Sequence, residues 1–382
     1  MAPGVSGYDL RCPSHKCKIG GVGGVTMRVA VVGGGVVGLA VAWRLAAAGD
    51  QVTVYDPAPG SGATGVAAGM LAPVGESRFG EEPMHRLLLA GADRWPAFAA
   101  ALTEATGHDL GYRDEGTLLV ALTDDDLRTV ARLADFHRRA GLTVEPLRAA
   151  DLREREPLLA PRVRGGAFVA QDRQVDPRRL AVALRIAAEK AGAAFVGDPV
   201  TRLSDVDGAD ATVVAAGCGS AVLVPGLPVR PVKGQVLRLR ATGDAPPLRH
   251  VLRGHAANRS VYVVPRRDGE IVVGATEEER GTDVQVTAGG VLDLLRPAVD
   301  LVPGLAEYAL VETAAGSRPG TPDNAPIVGR LRAGVLVATG HYRDGVLLAP
   351  ITADAVAAMV RGEAPPDEFR PFGPDRFPGV ST

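Results

Sequence analysis

The sequence predicts an α/β fold in which a parallel sheet, buried on both faces, accompanies a second, antiparallel sheet. Three observations carry that prediction. Residues 28–56 read as a complete strand, turn, helix and strand, with a helix of small residues over Leu39–Ala48, Gly49 as its stop and an apolar run over Gln51–Asp56. The opening run Val29–Val32 shows no polar alternation, as expected when helices cover both faces of a parallel sheet. Between Pro231 and Thr276 the character changes to β-rich stretches over Gln235–Arg240, Ser260–Arg266 and Glu270–Ala275, with Arg267-Asp268-Gly269 as a hairpin turn.

The remaining elements follow in chain order. A glycine- and alanine-rich loop, Ser61–Pro73, leads to a helix over about Glu82–Ala105 and a strand over Gly116–Ala121. Asp124–Gly141 and Ala149–Pro157 read as charged helices. Asp176-Pro177 opens an amphipathic helix that stops near Gly192; proline suits a first helical turn, where its missing N–H has no partner to lose. Ala194–Val196 and Ala211–Ala216 are short buried strands, and Ala288–Leu301 is a helix. Val335–Thr339 is a further buried strand, leading through a loop into a helix over about Ala349–Arg361. No internal repeat of roughly 20–50 residues stands out, which excludes a solenoid.

Composition bounds what such a chain does. Of 382 residues, 46% are hydrophobic and 23% charged, enough for a large core and, at roughly 150 residues per domain, for two or three units. The 48 glycines and 29 prolines fall between apolar segments, where they mark tight turns. Aromatic residues at 4% and a net charge of −2 give no basis for stacking bases or gripping a phosphate backbone, so no nucleic acid partner is expected. Three cysteines cannot make a disulfide framework, which implies a reducing compartment and a cytoplasmic location. Cys12, His15 and Cys17 lack a fourth ligand, so no metal is expected. Residues 1–26 carry neither a secretory apolar core nor periodicity and read as a disordered extension before Met27, a candidate functional start. The run Val29–Trp43 is too short and glycine-rich to span a bilayer, and no membrane partner is expected. Lysine occurs only at positions 16, 18, 190 and 233, so arginine carries nearly all the positive charge.

Gly33, Gly35 and Gly38 match G-x-G-x-x-G between a strand and a helix, the context that gives the pattern meaning. The first glycine permits the turn, the second lets backbone approach a pyrophosphate, and the third lets helix and strand pack closely. Helix N-terminal amides then meet the phosphate charge. Asp56 ends the second strand, where a ribose hydroxyl needs an acceptor. These features indicate a dinucleotide without distinguishing FAD from NAD.

The loop Ala63-Thr64-Gly65-Val66-Ala67-Ala68-Gly69-Met70-Leu71-Ala72-Pro73, together with His341-Tyr342-Arg343-Asp344-Gly345-Val346-Leu347-Leu348-Ala349-Pro350, resembles the D-amino-acid oxidase superfamily of flavoenzymes. Within it the chain is most similar to glycine oxidases of the type that serves thiamine biosynthesis, from about Met27 to Arg361. The resemblance implies a discontinuous FAD-binding Rossmann-like domain (27–105, 165–222 and 312–365) with an inserted antiparallel-sheet substrate domain (106–164 and 223–311), and a tail over 366–382. It implies FAD-binding roles for Val36, Val37, Asp56, Pro57, Ala63, Thr64, Ala68, Gly69, Met70, Val200, His341, Tyr342, Arg343, Asp344, Gly345, Val346 and Leu347, beside the three motif glycines. Physically, Gly340 and Gly345 make Thr339–Leu348 a strand-to-helix turn whose amides either stabilise charge on a bound ring or serve as an ordinary helix cap.

Three residues are expected at the substrate. Arg318, read as lying between two turns in Gly316-Ser317-Arg318-Pro319-Gly320, is by resemblance the anchor of an amino-acid carboxylate; on pattern alone an ion pair with Glu312 serves as well. Tyr262 stands where the family places a hydroxyl against that carboxylate, and equally suits a core position. Arg343 is implied at substrate and cofactor together, with a solvent-facing arginine as the plainer reading. The chain departs from the family pattern at Ser260, where a histidine is expected, and at Glu277, where a methionine is expected, which bears on pocket polarity. Cys218 reads as part of a turn far from the 341–350 loop, so FAD is expected to be held non-covalently. The implied activity is oxidative deamination of glycine, with sarcosine and small D-amino acids as further substrates, by hydride transfer to flavin with dioxygen as acceptor. A homo-oligomer is the expected assembly. The alternatives are an FAD-dependent D-amino-acid dehydrogenase with another acceptor, or an FAD-binding protein without turnover.

Overall fold

The computed structural model describes residues 26–75, 80–139, 141–242, 247–256 and 259–380. The N-terminal extension, with Cys12, His15 and Cys17, lies outside the described residues apart from Thr26.

The fold is α/β, as predicted, and its described strands form two large sheets and one two-stranded pair, Met70–Leu71 with Arg173–Gln174. One sheet orders its strands Ile327–Arg332, Val335–Thr339, Ala211–Val214, Arg28–Val32, Gln51–Tyr55 and Ala194–Val196. All neighbours run parallel except Ile327–Arg332 and Val335–Thr339, which form an antiparallel pair. Alternate side chains of the central strands go to opposite faces. Val29 and Val31 join a core with the helices Val36–Ala47, Glu82–Thr106, Pro177–Lys190 and Gly345–Val360, whereas Val32, Val214 and Val337 join a second core with Leu223, Leu227 and Leu331. Burial on both faces explains why these strands lack polar alternation. Asp176 caps its helix, its carboxylate accepting the N–H groups of Arg178 (2.9 Å) and Arg179 (3.3 Å).

The other sheet orders Ala309–Gly320, Arg230–Arg240, Glu270–Gly274, Arg259–Pro265, Val251–Ala256, Thr117–Ala121, Gly165–Val169 and Glu145–Arg148. It is antiparallel except at Val251–Ala256 against Thr117–Ala121, which pair in parallel with Leu252 opposite Leu118. The helix Ala288–Leu301 covers one face through Leu294, Ala298 and Leu301. Strands Gly165–Val169 and Ala309–Gly320 fall in or across segments expected in the FAD-binding domain, yet their hydrogen bonds are made in this sheet. In the expected C-terminal tail, Phe369 and Phe372 are buried in the core of the first sheet.

A buried arginine ties the second sheet to the 63–73 loop and to the 173–175 segment. The Arg266 guanidinium, 5% exposed, donates to Ala68 O (2.5 Å), Gln174 Oε1 (3.0 Å) and Val175 O (3.0 Å). Burial pulls its pKa down to about 10, which leaves it charged at neutral pH, and the carbonyls hold that charge. The 63–73 loop is thereby fixed to strand Arg259–Pro265. No helix among the described residues is long and apolar enough to cross a membrane.

Candidate active site

The glycine-rich turn is built as its spacing predicts. Gly33 has φ of 110°, and a Cβ there would lie 2.4 Å from Ala215 O. A Cβ on Gly38 would lie 1.9 Å from Gly33 O, so helix and strand approach closer than any side chain allows. Asp56 braces the turn from the neighbouring strand: Oδ2 accepts Gly34 N–H at 2.6 Å and Oδ1 accepts Ala58 N–H at 2.8 Å. Thr64 reaches across from the 63–66 helical turn, its Oγ1 accepting Val36 N–H at 3.0 Å, while Gly35 and Val37 open onto a cavity.

That cavity, about 840 Å³, lies where the carboxyl ends of the parallel strands meet the second sheet. It brings together Gly33, Gly35, Val36, Val37, Asp56, Pro57, Ala63, Thr64, Ala68, Gly69, Met70, Val200, Tyr262, Arg318 and the run His341–Val346. Gly38 and Leu347 do not line it. Gly38 packs beneath the turn, and Leu347 lies in the core with its carbonyl accepting Trp95 Nε1–H at 2.9 Å.

The helix after the 341–344 turn begins at Gly345, four residues before the expected start at Ala349. Gly345 and Val346 therefore belong to the first helical turn, whose amides have no partner within the helix and lie at the cavity wall. Tyr342 sits at φ of 48°, uncommon for a bulky residue, with its N–H donated to Pro319 O at 3.0 Å. His341 is 3% exposed, and its Nε2 is 3.0 Å from Thr352 Oγ1. Burial pushes its pKa down to about 3, so the imidazole is neutral.

On the opposite wall Arg318 belongs to strand Ala309–Gly320, opposite Val232, rather than to a loop between two turns. The stretch Ala314-Ala315-Gly316 hides that strand, since it offers no polar alternation. The guanidinium lies over Gly234, where a Cβ would come within 2.5 Å of Cζ. Its Nη1 donates to Thr276 O (3.1 Å) and Lys233 O (3.4 Å). Glu312 is engaged elsewhere, accepting two bonds from Arg178 and standing 3.7 Å from Arg238 Nε. Among the described residues no carboxylate pairs with Arg318. Tyr262 is packed over Gly274, where a Cβ would meet its hydroxyl at 2.3 Å. Arg343 Nη1 stands 4.0 Å from Glu277 Oε2. The Tyr342 phenol is pushed up to about 12, by burial first and then by the neighbouring Glu277 carboxylate.

Cys218 requires a correction. It lines the same cavity, because the pairing of Val335 with Thr212 sets the ends of those two strands side by side. Its Sγ is 3.7 Å from Ser317 O, and burial pushes the thiol up to about 11, leaving it in the neutral, weakly nucleophilic form. Gly234 and Thr276 were not anticipated either. A glycine inside a β-rich run is the available signal, since it marks a close approach to the backbone.

The fold and this cavity define a flavoenzyme class. The FAD dependent oxidoreductase family DAO matches residues 28–359, and the chain belongs to that family. Among its relatives, a glycine oxidase of Geobacillus kaustophilus is 35% identical over 373 residues, covering 92% of this chain and 97% of the relative. The crystal structure of glycine oxidase from Geobacillus kaustophilus superposes with a TM-score of 0.84 at 34% identity, over 91% of this chain and 98% of that one. A provisionally named thiamine biosynthesis oxidoreductase ThiO of Rhizobium etli is 36% identical over 346 residues, covering 90% of this chain and 99% of the relative. The protein is an FAD-dependent oxidoreductase.

Proposed function

We propose that the protein oxidises glycine, with sarcosine and small D-amino acids as further substrates. Glycine, dioxygen and water give glyoxylate, ammonia and hydrogen peroxide. The observation that carries the reading is Arg318, a guanidinium at the cavity wall that meets only backbone carbonyls and has no carboxylate partner among the described residues. A planar fork in that state suits the carboxylate of an amino acid. Similarity to the glycine oxidases and to ThiO supports glycine as the substrate and the thiazole branch of thiamine biosynthesis as the setting, in the cytoplasm.

The residues present fit FAD. The glycine turn closes to backbone-contact distance at Gly33 and Gly38, the Gly35 and Val37 amides suit a pyrophosphate, and Asp56 keeps lone pairs for a ribose hydroxyl. His341–Val346 would border the flavin, with neutral His341 adding no charge and the Gly345 and Val346 amides donating to it. When bound, FAD accepts the hydride that leaves the substrate Cα. The chain's own task is orientation: Arg318 grips the carboxylate, the Tyr262 hydroxyl contacts it, and Arg343 closes the third side. No general base is needed for a substrate whose amine is neutral. The neutral Cys218 thiol supports non-covalent attachment. A division into an FAD-binding and a substrate domain, with bounds other than those expected at 165–169, 309–320 and 366–382, and a homo-oligomeric assembly belong to this proposal.

Oxygen uptake with glycine, coupled to glyoxylate and peroxide detection, tests the reading. Glycine-dependent reduction of an artificial dye without oxygen uptake would instead identify a dehydrogenase. Absence of both would remove the proposed activity.

A further inference from the structure

We propose that Glu277 fixes the charge class of the substrate: by neutralising Arg343 at the cavity wall, it restricts the site to amines that carry a single carboxylate. The proposal rests on the amino-acid reading above and deepens it. Two guanidiniums line the cavity beside Tyr342, and their surroundings differ. Arg318 meets carbonyl oxygens. Arg343 faces a carboxylate, with Nη1 4.0 Å from Glu277 Oε2 and Cζ 5.2 Å from the Tyr342 ring centroid. The same Glu277 raises the Tyr342 phenol pKa, which places its carboxylate near that hydroxyl as well.

Glu277 is presented by a braced segment. On one side, Thr276 O accepts from Arg318, and Thr276 Oγ1 donates to Glu278 Oε1 at 2.6 Å. On the other, Glu278 exchanges both backbone hydrogen bonds with Lys233, N–H to O at 3.0 Å and O to N–H at 2.9 Å. The Glu278 carboxylate also accepts from Gln235 Nε2 at 2.7 Å and lies 3.8 Å from the buried Lys233 Nζ, which stands 3.7 Å from Asp283 as well. Positions 276 and 278 are therefore tied to the strand that carries Gly234, and residue 277 is held between them against the 342–343 turn.

A substrate docked through one carboxylate on Arg318 meets an already balanced group at Arg343. A second carboxylate reaching Arg343 meets the negative charge of Glu277 within a few ångströms. Repulsion of that kind rejects a rival without altering the contacts of the preferred ligand. Asp344, which also lines the cavity, is present in both proteins compared below, so its charge does not enter the difference.

Sarcosine and iminodiacetate make a matched pair, alike except for a carboxylate in place of one hydrogen on the N-methyl group. With FAD-loaded protein, Glu277→Gln is expected to raise the ratio of kcat/KM for iminodiacetate over sarcosine about tenfold, mainly through KM. The gain should shrink at roughly 1 M salt, where half-exposed charges are screened. A ratio unchanged within about twofold would overturn the proposal. Equilibrium titration with iminodiacetate, followed by the flavin spectrum, makes the comparison without turnover. If the wild-type protein oxidises no amine, the amino-acid reading falls, while the titration still decides the role of Glu277. About tenfold tighter binding to the glutamine variant supports it, and equal affinity overturns it. Should the glutamine variant lose FAD, Glu277→Ala serves the same comparison, with the same outcomes.

Discussion

Arg318→Ala removes the guanidinium proposed to hold the substrate carboxylate. The side chain lies flat over Gly234 and is held by two carbonyls, so its fork is oriented before substrate arrives. At about 4 Å and an effective dielectric of about 20, a pair of unit charges is worth roughly 4 kcal/mol. Water entering the truncated site returns part of that. A net loss of about 3 kcal/mol is expected, inside the roughly 2–5 kcal/mol seen when one partner of a hydrogen-bonded charge pair is removed. That corresponds to a fall of about 150-fold in kcat/KM. Arg343 does not substitute, because Glu277 faces it. The assay is anaerobic stopped-flow reduction of the FAD-loaded protein by glycine. The apparent dissociation constant should rise, and the limiting rate should fall as well, because hydride transfer needs the Cα hydrogen aimed at the flavin. FAD content and visible spectrum should stay unchanged, and Arg318→Lys should recover only part of the loss, since a point charge lacks the fork. Near-normal glycine kinetics in the alanine variant would show that Arg318 does not hold the substrate carboxylate. So would a collapse of FAD content, which would make Arg318 a structural residue.

Asp56→Ala should weaken FAD retention by about tenfold or more, the cost of losing the charged hydrogen bonds to the turn and the acceptor proposed for the ribose, while loaded protein reduces at the normal rate. Slow reduction of fully loaded protein would assign Asp56 another role. Gly38→Ala puts a methyl group 1.9 Å from Gly33 O, so the variant should purify without FAD or with a markedly lower melting temperature; normal retention would contradict the packing argument. His341 has a pKa lowered to about 3 by burial, whereas its unfolded value is about 6.5. As pH falls below about 6.5, the unfolded chain takes up a proton that the folded state refuses, so acid destabilises. Denaturant titrations at pH 7 and pH 5 should show the wild-type protein losing about 2 kcal/mol more than His341→Gln, and equal losses would contradict a buried neutral imidazole.

What the sequence reveals depends on whether the cause is local. The strand, turn and helix at residues 28–47 follow from glycine spacing and a valine run, and Asp176-Pro177 marks a helix start through cap chemistry that involves only its neighbours. Strand Val251–Ala256 escapes because Gly254 and His255 interrupt its apolar pattern, and its parallel partner Thr117–Ala121 lies far away in the chain. Ala309–Gly320 is an edge strand with little buried surface, so its sequence carries no alternation to read. Glycine and arginine at the cavity were recognisable as residue types. The layering of Arg318 over Gly234, the proximity of Cys218 to the substrate wall and the facing of Arg343 by Glu277 all arise from contacts between distant segments, which spacing does not encode.

Glycine is expected to deliver its hydride to FAD in the cavity walled by Arg318, Tyr262 and the 341–346 turn. Anaerobic mixing of the FAD-loaded protein with glycine, while the flavin absorbance is followed, tests it most directly. The oxidised flavin band should bleach at a rate that saturates with glycine, and should recover with formation of peroxide when air is admitted. An oxidised spectrum that persists with glycine, sarcosine and D-alanine alike would contradict it.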